Sequence, residues 1–138
     1  MKETYTTLWK GKMAFETEIS GHKFLMDANE SVGGEDNGPR PKPLLIAALT
    51  GCTGMDVASI LKKMQVEVED FRILTESEMT EEHPKTYTKI HLIYQFKGKD
   101  LPIKKLEKAV SLSQERYCGV SALLEKALEL DYEIKIIE

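Results

Sequence analysis

Apolar and polar positions alternate along residues 4–27 in three short runs. "TYTTLWKG" is rich in Thr and aromatic residues, "MAFETEI" alternates, and "HKFLMD" follows Ser20-Gly21. This pattern predicts a three-stranded antiparallel meander with turns at Lys10-Gly11-Lys12 and Ser20-Gly21-His22. Residues 28–42, "ANESVGGEDNGPRPK", are dense in Gly, Pro, Asn and Asp and predict a loop with little to bury. So long a loop is uncommon in a compact domain and often serves function or an interface. From Pro43 to about Met64 the period becomes helical, with Leu44, Leu45, Ala48, Cys52, Met55, Ala58 and Leu61 recurring mostly at steps of three and four. Pro43 suits a first helical turn, and the cations of "LKKM" suit the last. Gly51 and Gly54 lie inside this helix, each at a cost of up to about 1 kcal/mol relative to Ala. Two glycines flanking Cys52 predict a close approach to the backbone there.

Beyond the helix, residues 66–79 and 87–96 alternate again, joined by the acidic loop "TEEHP", and predict a long hairpin. Residues 102–116 predict a second helix opened by Pro102. Tyr117, Cys118 and Gly119 interrupt it, 120–128 resume helical, and 131–138 close with a strand. The order βββ–α–ββ–αα–β is that of an α+β protein. A length of 138 residues predicts one domain over residues 1–138.

Composition narrows the function classes. Nineteen basic against 23 acidic residues give a net charge of −4, without a basic run, so nucleic acid is not an expected partner. The N-terminus lacks an apolar signal segment, and "PLLIAAL" falls short of membrane length. The expectation is a soluble, cytoplasmic protein with no membrane partner. His22, His83 and His91 show no ligand spacing, which predicts no metal site. "VGGEDNG" fits neither common nucleotide-binding pattern, which leaves no cofactor to expect.

Two cysteines 66 positions apart, in a reducing compartment, do not suggest a permanent staple. They are either buried bystanders or a redox pair. Cys118, in "SQERYCGVSALLEKAL", sits at a helix break with Arg116 two residues away. A helix N-terminus and a nearby cation both lower a thiol pKa. Cys52 lies mid-helix with Asp56 one turn on. Asp56 is a candidate hydrogen-bond partner or proton acceptor for the thiol, or else simply an interface or solvated acid.

"PLLIAALTGCTGMDVASILKKM", "AVSLSQERYCGVSALLEKALEL" and "SGHKFLMDANES" together resemble the OsmC/Ohr family, the osmotically inducible and organic-hydroperoxide-resistance group, and within it the YhfA-like subgroup. The resemblance covers essentially the whole chain. It implies an α+β sandwich with a long central helix packed on antiparallel sheets, two chains intertwining as a homodimer. It implies thiol-dependent reduction of organic hydroperoxides, with Cys52 as peroxidatic and Cys118 as resolving cysteine and a cellular dithiol as reductant. The family's activating Glu, ten residues before the first cysteine, is replaced here by Lys42, and residues 1–39 contain no Arg to match its N-terminal one. Lys42, Arg40 and Arg116 are therefore the candidates to supply positive charge near Cys52. An apolar pocket walled by Leu45, Leu49 and Met55 is expected for the alkyl tail. The altered charges leave an alternative: the same fold binding a small apolar ligand or sensing redox state without turnover.

Overall fold

The computed structural model describes residues 1–137. Its elements follow the expected order: β1 (Thr7–Trp9), β2 (Phe15–Ile19), β3 (His22–Met26), α1 (Leu44–Lys63), β4 (Asp70–Met79), β5 (Tyr87–Lys97), α2 (Ile103–Leu112), α3 (Gly119–Leu124) and β6 (Glu129–Ile137). The chain divides into two compact units, Met1–Ala47 and Ala48–Glu138, with α1 beginning in the first and continuing in the second.

The first unit is the antiparallel meander β1–β2–β3 and the loop that follows it. Ser20 and Gly21 have φ of 52° and 79°. Two consecutive positive φ values make the tight turn that pairs Ile19 with His22. The loop is organised by Asp27, whose carboxylate accepts hydrogen bonds from the Ala28, Glu35 and Asn37 N–H groups. The Ala28 N–H leads these in holding the Asp27 carboxyl below its ordinary range. Far from having nothing to bury, the loop closes around one buried acid.

The second unit is the sheet β4–β5–β6 covered by helices. β5 is central, and Ile90, Leu92, Ile93, Tyr94 and Phe96 on it are buried. β4 pairs with β5 antiparallel, as the hairpin pattern predicts. β6 pairs with β5 in parallel, Ile90 opposite Leu130, which corrects the expectation of wholly antiparallel sheets. Crossing over through α2 and α3 returns the chain to the same end of the sheet, which a tight hairpin cannot do. Leu49, Val57 and Leu61 of α1 join Leu106, Ala109 and Val110 of α2 among the buried side chains.

Several boundaries differ from the sequence pattern, among them the end of α3, at Leu124 rather than residue 128. β4 begins at Asp70 rather than residue 66, because α1 ends in a left-handed cap. Gln65 has φ of 60°, its N–H reaches the Lys62 carbonyl, and the Val66 N–H reaches that of Leu61. α2 stops at Leu112, and Ser113–Tyr117 form a single wide π turn, closed by the Cys118 N–H on the Ser113 carbonyl at 2.8 Å. β6 begins at Glu129, two residues early.

The face of α1 also differs. Leu49, Thr53, Val57 and Leu61 are buried at steps of four, whereas Leu45 is exposed and Met55 is 76% exposed. A Cβ on Gly51 would meet nothing within 4 Å among the described residues and one on Gly54 only Ile73 Cδ1 at 3.5 Å, so none of the described residues crowds either glycine. Taken whole, α1 is long and apolar enough to cross a membrane by length and composition, which corrects the reading that no segment approaches that length. Its buried side is nevertheless bonded through Thr53 to Tyr94 of β5, as in a helix packed on its own sheet.

Candidate functional site

Cys52 and Asp56 are four residues apart on α1 and therefore share one face. Cys118 follows the π turn and caps α3, its Sγ accepting the Ser121 N–H at 3.3 Å. The wide turn brings this cap to α1: the two Sγ atoms and a carboxylate oxygen of Asp56 all lie within 4.8 Å of one another. Both cysteines are free thiols; Cys118 is buried and Cys52 half-buried.

Electrostatics at Cys52 run against an activated thiolate. Burial is the main cause of a thiol pKa raised above the ordinary value. The Val120 N–H, donated to Cys52, opposes that shift, while Cys118 and the negative Asp56 add to it.

Behind the cysteines lies a ladder of buried side chains. Thr53 Oγ1 lies 2.6 Å from Tyr94 Oη and 2.7 Å from Ser113 Oγ. Ser113 donates to Asp56 Oδ2 at 2.9 Å, and Gln114 Nε2 donates to Tyr94 Oη at 2.7 Å and Thr53 Oγ1 at 3.2 Å. Each hydroxyl has one proton. Ser113 gives its proton to Asp56, so Thr53 donates to Ser113 and Tyr94 donates to Thr53. The ladder runs in one direction, from Tyr94 through Thr53 and Ser113 to the Asp56 carboxylate. Burial raises the Tyr94 pKa, which keeps the first donor protonated.

The predicted residues fall into two groups. Cys52, Asp56 and Cys118 come together in the second unit. Arg40 and Lys42 lie in the first: Arg40 bonds Asp36 Oδ1 at 2.7 Å and the Gly38 carbonyl at 3.1 Å, and Lys42 occupies the turn before α1. Arg116 is exposed, with its guanidinium carbon 5.6 Å from the centre of the Tyr117 ring. Thr53, Tyr94, Ser113 and Gln114 escape the sequence reading, because pairings 20 to 61 residues apart leave no local pattern.

The expected apolar wall is also relocated. Leu49 is wholly buried, and Met55 lines a shallow groove with Phe71 and Ile73. A groove of about 520 Å³ opens instead beside Asp56, between Ile60, Met64, Leu112 and Tyr117. A larger one, about 1080 Å³, lies near the end of α1 between Leu61, Phe71 and Leu101 and includes no member of the cysteine cluster.

This architecture and sequence recur in known proteins. Residues 34–133 match the family model described as OsmC-like protein. The YhfA protein of Escherichia coli K12 is 37% identical over 130 residues, 94% of each chain. A hypothetical protein of Aquifex aeolicus VF5 of known crystal structure is 32% identical, with a TM-score of 0.82 over 100% of this chain and 99% of that one. The organic hydroperoxide resistance protein OsmC of Legionella pneumophila shares the fold at 19% identity, with a TM-score of 0.63 over 99% of this chain and 100% of that one. With the family model covering well over half of its length and a relative above 30% identity along nearly all of it, the chain belongs to the OsmC-like protein family.

Proposed function

We propose that this protein reduces organic hydroperoxides by a two-cysteine mechanism. The observation that carries the reading is the approach of the Cys52 and Cys118 sulfurs to within 4.8 Å across two helices far apart in sequence. The Cys52 thiolate attacks the peroxide's terminal oxygen and breaks the O–O bond. The alkoxide leaves and takes up a proton as an alcohol, and Cys52 becomes a sulfenic acid. The Cys118 thiol then attacks the sulfenic sulfur, forming the disulfide and releasing water. A cellular dithiol reduces the pair by exchange and is itself oxidised to a disulfide. The groove beside Asp56 accepts the alkyl tail through Ile60, Met64, Leu112 and Tyr117.

The working form is a cytoplasmic homodimer. Support comes from the apolar side of α1, where Leu45, Ala48 and Met55 are exposed. A second copy covers that side and supplies surroundings in which Arg40 or Lys42 acts on a cysteine. A second reading, disulfide-based sensing without rapid turnover, is favoured by one observation: burial and Asp56 both disfavour the Cys52 thiolate.

Peroxide consumption with a dithiol, comparing cumene hydroperoxide with hydrogen peroxide, separates the two. The peroxidase reading expects fast consumption of the organic peroxide, lost in Cys52→Ser, and a persistent sulfenic acid in Cys118→Ser. A wild-type rate no higher than that of a free thiol removes the peroxidase reading and leaves a sensor or a small-ligand binding protein.

A further inference from the structure

The same cluster has a second chemistry, independent of any turnover. Cys52, Asp56 and Cys118 offer two sulfurs and one carboxylate oxygen, all within 4.8 Å of one another. Around a tetrahedral zinc, with Zn–S of about 2.3 Å, ligand atoms sit about 3.8 Å apart. The upper bound of 4.8 Å exceeds that spacing by about 1 Å.

Each of the three side chains already has its own hydrogen-bond donor. Cys52 receives the Val120 N–H, Cys118 the Ser121 N–H at 3.3 Å, and Asp56 the Ser113 hydroxyl at 2.9 Å. Such outer donors hold metal ligands in place and spread their negative charge. Two come from the first turn of α3 and one from the π turn, so the cap that positions Cys118 also supplies the outer shell. Ser121, whose N–H donates to the Cys118 sulfur, additionally carries a buried hydroxyl without a partner among the described residues. The half-buried Cys52 and Asp56 give an ion a way in.

We infer that Cys52, Asp56 and Cys118 form a binding site for a thiophilic divalent cation, of which Zn²⁺ is the prototype. Two sulfurs select zinc or cobalt over magnesium or calcium, which prefer oxygen throughout. Three protein ligands leave a fourth position for water or an external thiol. Histidine spacing gives no hint of this site, because its signal is a Cys-x-x-x-Asp pair on one helix face and a cysteine 66 residues away. Binding and disulfide formation exclude each other. A hydroperoxide that oxidises the loaded site takes two electrons from the two thiolates and, with two protons, gives the disulfide, an alcohol, water and the free cation.

The test is titration of the reduced full-length protein with Co²⁺ followed by displacement with Zn²⁺. The expected result is one cobalt per chain, a sulfur-to-cobalt charge-transfer band, the visible spectrum of a tetrahedral ion, and loss of all three on prior oxidation to the disulfide. Asp56→Asn should weaken affinity at least tenfold, and Cys118→Ser should cut the charge-transfer intensity by half or more, with far-ultraviolet circular dichroism confirming that both variants are folded. His91→Ala is the control, since His91, paired with Asp131 and Glu133, is a potential ligand outside the cluster. An octahedral spectrum without the sulfur band overturns the site. So does binding lost in His91→Ala but retained in folded Asp56→Asn, or binding unchanged in the oxidised protein.

Discussion

Replacing Thr53 with Val keeps the shape of a wholly buried side chain and removes only its hydroxyl. Three hydrogen bonds go with it: from Tyr94 at 2.6 Å, to Ser113 at 2.7 Å, and from Gln114 at 3.2 Å. The partners do not suffer equally. Ser113 keeps its bond to Asp56, and Gln114 keeps Tyr94 as an acceptor. The Tyr94 proton loses its only acceptor in the ladder while Tyr94 stays buried. An orphaned buried donor costs about 1–3 kcal/mol, so Thr53→Val should destabilise by that amount. Tyr94→Phe should cost less, about 0.5–1.5 kcal/mol, because Thr53 then keeps Ser113 and Gln114. In the double variant the orphan is gone, and its cost should not exceed that of Thr53→Val alone. Urea unfolding of all four proteins at one concentration provides the cycle. Strictly additive costs, or a Thr53→Val protein as stable as wild type, would refute the one-way ladder.

Four other outcomes follow from the same geometry. Alkylation of Cys52 by iodoacetamide should reach half its maximal rate at a pH above the ordinary thiol value of about 8.5, and Asp56→Asn should lower that pH by removing the carboxylate; a midpoint unmoved in Asp56→Asn would count against their contact. His91, bound by Glu133 at 2.7 Å and Asp131 at 2.6 Å, has a raised pKa, with Glu133 the leading cause. Its contribution to stability is full below the unfolded His value of about 6.5 and is lost as pH rises through the raised folded value; the stability difference between wild type and His91→Gln should therefore shrink on going from pH 6 to 9, and one that grows reverses the assignment. Leu106→Ala empties a wholly buried site between α2 and its neighbours and should cost about 2–5 kcal/mol in urea unfolding. Met55→Glu, on the uncovered side of α1, should halve the mass seen by light scattering while leaving the far-ultraviolet circular dichroism of the fold; an unchanged mass would place any dimer contact elsewhere.

Much of the fold was legible because its signals are local. The meander turns, the loop, the start of α1 and the β4–β5 hairpin each rest on residues adjacent in sequence, and each is present in the expected order, the hairpin with its first strand four residues shorter at the start. The parallel strand was not legible, since alternation in "DYEIKIIE" states that a strand exists and not which way its partner runs. The buried face of α1 was misread for a related reason: a helix apolar nearly all round gives no contrast by which to choose a side. At the site, the family resemblance supplied the pairing of Cys52 with Cys118, and helix spacing supplied Asp56. Thr53 and Ser113 look like ordinary small polar residues until the π turn brings one beneath the other.

The parallel pairing of β6 has a consequence for how the chain is made. Ile90 must wait for Leu130, so synthesis runs through α2 and α3 before β5 has a neighbour on that side. Throughout that interval a strand carrying Ile90, Leu92, Tyr94 and Phe96 presents an open row of backbone donors and acceptors, the kind of template on which nascent chains join one another. On a ribosome, the segment that carries Cys118 is therefore also the delay during which this protein is most exposed to aggregation, and chaperone dependence should peak there.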